Sequence, residues 1–78
     1  MSDEAMLNVL RRLCNAYMNY DYERATIANL EPLAKEIGWE LHRRDGIQEM
    51  RRIFQRLGGM PGSRTLEMHW GGIGDWRG

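Results

Sequence analysis

The side chains in this 78-residue sequence best suited to nucleophilic or metal chemistry are Cys14, His42 and His69, and they lie far apart along the chain. An activated nucleophile needs a base within hydrogen-bond reach, and no neighbouring spacing here supplies one. A metal site needs three or four ligands, and the chain contains no CxxC, HxxxH or HExxH. Gly71-Gly72-Ile73-Gly74 lacks the lysine and the Ser/Thr of a phosphate-binding loop, and reads as a hinge that lets Trp76 turn back. The sequence predicts no catalytic residue, no metal and no cofactor, and therefore a protein that is not an enzyme.

Recognition chemistry has more material. Trp39, Trp70 and Trp76 are candidate partner-binding residues, because tryptophan and arginine are enriched at the centres of protein interfaces. Trp39 projects about 180° away from the apolar stripe of its helix. Either the tail that carries Trp70 and Trp76 covers it, or a partner does. Net charge is zero, but four basic side chains face seven acidic ones in residues 1–40, and seven face four in residues 41–78. This polarity suits head-to-tail contact or an acidic partner. All the basic residues but Lys35 are arginines, a side chain fitted to bidentate and stacked contacts.

Five of these arginines, Arg43, Arg44, Arg51, Arg52 and Arg56, flank one turn. Leu33-Ala34-Lys35-Glu36-Ile37-Gly38 resembles the opening of a helix-turn-helix DNA-binding motif, although the apolar stripe here continues through Leu41 where that family turns. A second alignment takes Asp45-Gly46 as the turn. The helix after it then carries Gln48, Arg52 and Arg56 towards the bases. The resemblance implies a small DNA-binding regulator as the alternative to a protein-interaction module. Zero net charge supplies no general attraction to phosphate.

These side chains must be positioned by helices. Ser2 is a good N-cap, with Asp3 and Glu4 at the positive end of the helix dipole. Met6, Leu10, Leu13 and Tyr17 then recur on one face, and Leu7, Val9, Cys14 and Met18 widen the apolar arc to roughly 180–200°. An arc that wide belongs to a central helix or to one covered by a second copy of the protein. After a turn at Asn19-Tyr20-Asp21, with Asp21 as its cap, Pro32 is expected to begin a second helix over about 32–44, preceded by a shorter helical turn. Gly38 within it implies close helix packing. Ile47, Met50, Ile53, Phe54 and Leu57 form the face of a third helix over 47–57, which Gly58 ends in the left-handed conformation.

The last twenty residues change character. Seven of the nine glycines follow residue 57. A short fourth helix over 64–70, capped by Ser63, is favoured over a lone strand that would have no partner for its backbone. Residues 71–78 read as irregular. A single cysteine excludes an internal disulfide, and the acidic start carries no signal-peptide pattern, so a cytoplasmic protein without membrane contact is expected. The sequence thus predicts an all-α domain over 1–78. It is a small bundle of three to four short helices: residues 1–57 form the helical core, and residues 58–78 form a Gly/Trp-rich segment, with the 64–70 helix in it, packed on that core. Its expected role is a self-associating, non-enzymatic interaction module.

Overall fold

A computed structural model describes residues 1–76 as an all-α protein. Helix α1 spans Asp3–Tyr17. The Ser2 hydroxyl accepts from the Ala5 N–H at 3.1 Å, and Asp3 and Glu4 occupy the first turn, as their chemistry requires. Met6, Leu7, Leu10, Leu13 and Cys14 are completely buried. They pack against α2 and α3, so α1 is the central helix and its apolar arc is filled within one chain except at Met18, which is exposed. Each buried leucine contributes about 1.5–3 kcal/mol, which makes this helix the base of the core.

Helix α2 spans Arg24–Gln55 and is broken once, at Asp45 (φ −158°, ψ 38°) and Gly46 (φ 64°, ψ −153°). The break falls where the sequence places a turn, and Gly46 takes the left-handed φ that a Cβ would oppose. Two expectations for the first arm are corrected. It begins at Arg24 rather than near Pro32, with Glu23 rather than Asp21 at its N-cap. Pro32 lies inside a continuous helix, where its ring removes one i→i−4 hydrogen bond. Packing outweighs that loss, because Ile27 is buried and Leu30 and Leu33 are packed against the core. The helix also runs straight through Gly38, so the turn that the helix-turn-helix resemblance places there does not form.

Gly58 and Gly59, with φ of 66° and 68°, end the second arm. Helix α3 spans Ser63–Met68. Its N-cap is Gly62 at φ 91°, not Ser63, which is instead the buried first residue of the helix. A side chain at position 62 would meet the Cys14 carbonyl oxygen at 2.7 Å, so only glycine lets the chain pass this close to α1. The tail then folds inward. Trp70 and Ile73 are completely buried and Trp76 nearly so. Phe54, Trp70 and Trp76 form an aromatic cluster, with the two indoles edge-to-face at a centroid distance of 5.1 Å. The expected tail also includes Arg77 and Gly78, which lie outside the described residues.

Trp70 docks on α2 at Gly38. Its indole N–H donates to the Ala34 carbonyl at 2.9 Å, and a Cβ on Gly38 would sit 2.8 Å from Trp70 Cδ1, Trp70 Nε1 and Ile73 Cδ1. Alanine in a helix interior normally gains about 1 kcal/mol over glycine. Here overpacking against a buried ring costs about 1–3 kcal/mol and reverses the sign. Gly38→Ala is therefore expected to lower the urea midpoint at unchanged m-value. A raised midpoint would show that the Trp70 ring moves aside freely.

Candidate functional site

Trp39 lies on α2 away from the core stripe, and 41% of it is exposed. The tail folds elsewhere, onto Gly38 and Phe54, and leaves Trp39 uncovered among the described residues. Trp39 forms one wall of a surface groove of about 480 Å³ between the start of α1 and the first arm of α2. Buried Met6 and Ile37, with half-buried Leu33, make its apolar floor. Met1 closes one end, and Glu36, Glu40 and Arg43 form the rim. His42 braces the indole from one side, edge-to-face at a centroid distance of 6.2 Å. The same imidazole occupies the space where a side chain on Gly74 would go, so it is packed between α2 and the tail.

The structure places the other two candidate tryptophans in the tail's aromatic cluster. Trp70 is completely buried, and Trp76, nearly so, lines a smaller depression with Ile47, Arg51 and Phe54. Gly58, Gly59, Gly62, Gly72 and Gly74, all at positive φ, supply the turns that bring both indoles inside. Of the three, Trp39 is the most exposed.

Gln48, Arg52 and Arg56 are exposed on the second arm of α2, but the two arginines are not free. Arg52 contacts Asp3 Oδ2 at 3.0 Å and also pairs with Glu49. Arg56 contacts Glu4 at 2.9 Å. Arg44, on the other side of the break, lies 3.7 Å from Asp3 and donates to the Met1 carbonyl at 2.7 Å. The acidic first turn of α1 thus gathers arginines from both arms of α2. Arg43, Arg44, Arg52 and Arg56 of the basic half all pair with carboxylates of the acidic half within one chain.

A third cluster was invisible to local spacing. Tyr17 Oη donates to Glu31 Oε2 at 2.7 Å, and His69 Nε2 lies 2.9 Å from the same oxygen. The three residues come from α1, α2 and the C-cap of α3, so only the fold brings them together. His69 and Glu31 are each about one-third exposed. His42 and His69 serve different neighbours, and Cys14 is a fully buried thiol inside the core. Among the described residues no group of three His, Cys, Asp or Glu side chains is arranged to hold a metal ion. No helix among them is long and apolar enough to cross a membrane.

The fold and this geometry define a small all-α protein with an aromatic-walled surface groove and an internally paired arginine cluster. Compared with known protein families, with curated proteins and with solved structures, the chain matches none.

Burial pushes the Cys14 thiol up to about 11. Burial, and after it the hydrogen bond and negative charge of Glu31, push the Tyr17 phenol well above the ordinary tyrosine value. Both groups hold their protons more tightly when folded than when unfolded. Their contribution to stability is present below the unfolded pKa values, near 9.0 and 10.0, and is lost as pH rises through and above them. Denaturant midpoints measured from pH 8 to 11 are expected to fall with rising pH. Tyr17→Phe, combined with Cys14→Ala, is expected to flatten that slope at the cost of a lower midpoint throughout. An unchanged slope in the double variant would show that neither group controls it.

Proposed function

We propose that this chain is a small, non-enzymatic protein–protein interaction module that receives its partner in the groove beside Trp39. The observation that carries this reading is the groove itself: an exposed indole beside an apolar floor, in a protein whose other two tryptophans are buried. Tryptophan anchors seated in or beside such depressions dominate interface energetics. Burying the ring and floor removes apolar surface from water, which is favourable.

Self-association belongs to the same reading but uses a different surface. With the apolar arc of α1 filled inside the chain, the apolar side chains left at its far end are Met18, Tyr20 and Tyr22, exposed by 60, 56 and 93%. The charged side chains around these tips pair with one another, Asp21 with Arg24 at 3.8 Å and Glu23 with Arg12 at 2.8 Å. Light scattering over a concentration series is expected to show a dimer that survives Trp39→Ala and is weakened by Tyr22→Ser. A constant monomer mass at high concentration would remove self-association from the reading.

The alternative, a DNA-binding regulator reading bases through Gln48, Arg52 and Arg56, has less support. Phosphate would have to displace Asp3, Glu4 and Glu49 from the two arginines. Fluorescence anisotropy of a labelled random duplex at low and physiological salt tests it. No binding is expected at either salt concentration, whereas binding that weakens steeply with salt would favour the DNA reading.

A further inference from the structure

The groove carries information about the chemistry of its occupant, an inference that rests on the interaction-module reading. Its lining on α2 runs from Leu33 to Arg43, about 15 Å at 1.5 Å per residue. That length accepts two to three turns of a partner helix, whose apolar side chains at i, i+4 and i+7 would lie along Leu33, Ile37 and Met6.

Charge decides which helix. Glu31 is taken by Tyr17 and His69, Glu40 by Arg43 and Arg44, and Glu49 by Arg52. Glu36 lies on the groove, is exposed, and has no ion-pair partner among the described residues. It stands one helical turn from Trp39, at i,i+3, so the carboxylate and the indole are neighbours on the helix surface. A carboxylate beside an exposed indole suits one chemistry best, a guanidinium or ammonium group that meets the ring and the negative charge together. Arg43, the cation on this rim, is already held by Glu40 at 3.1 Å.

We propose that the Trp39 groove binds a basic amphipathic helix of another protein, with an arginine or lysine of that helix seated between Glu36 and Trp39. The test is selection of displayed 16-residue peptides on the full chain, with Trp39→Ala as the counter-selection and circular dichroism to confirm that the variants fold. Both tested positions are surface residues outside the core. Enriched peptides are expected to combine an i, i+4, i+7 apolar stripe with Arg or Lys beside it. They are expected to bind at least about tenfold more weakly to Trp39→Ala and to Glu36→Gln, and more weakly as salt rises. Trp39-dependent peptides that are neutral or acidic and indifferent to Glu36→Gln would overturn the basic-helix proposal and leave the interaction surface standing. Failure to enrich any Trp39-dependent peptide would remove both. A dimer abolished by Trp39→Ala would put a second copy in the groove and overturn the proposal by another route.

Discussion

The seating of Trp70 on α2 holds the two compositional halves of this chain together. Its indole lies over Gly38, the one residue of that helix whose missing side chain allows so close an approach, and its N–H shares the Ala34 carbonyl. The bond and the close approach require each other, because the donor reaches the helix backbone only where no Cβ stands in the way. From this point Ile73 follows onto the same glycine, and Trp76 closes against Phe54 and Trp70. The tail therefore adds large buried aromatic surface to a chain short enough that burial is scarce.

Electrostatics supports the same arrangement from the other end. Asp3 lies within 4 Å of Arg44, Arg52 and Arg56, which belong to both arms of the broken helix. Exposed ion pairs are individually weak, but several sharing one carboxylate across a bend restrict the angle between the arms. Arg11 adds a contact of 3.4 Å to the Arg56 carbonyl at the C-terminal end of α2. The arginines that look available for nucleic acid in a linear reading are thus largely occupied in holding the molecule together.

Once α1, the tail and the arginine cluster have satisfied one another, the Trp39 groove is left with an apolar floor and, in Glu36, a carboxylate without an ion pair among the described residues. The Tyr17–Glu31–His69 cluster, by contrast, satisfies its own members. Its tyrosine is held protonated by the burial that makes the contact part of the core margin. This contrast is why the proposed function rests on the groove.

Local sequence is enough to read the all-α class, the cap at Ser2, the break at Asp45-Gly46, the stop at Gly58 and the outward position of Trp39. Each depends on residues within about one helical turn of one another, where φ preference, capping and 3.6-residue periodicity act directly. Tertiary structure decided the rest. Pro32 inside a helix, the inward fate of Trp70 and Trp76, the capture of Arg52 and Arg56 by Asp3 and Glu4, and the meeting of Tyr17, Glu31 and His69 all join residues distant in sequence. Their energies exceed or redirect local preference only once the helices are packed, and no spacing along the chain encodes which distant partner a side chain will meet.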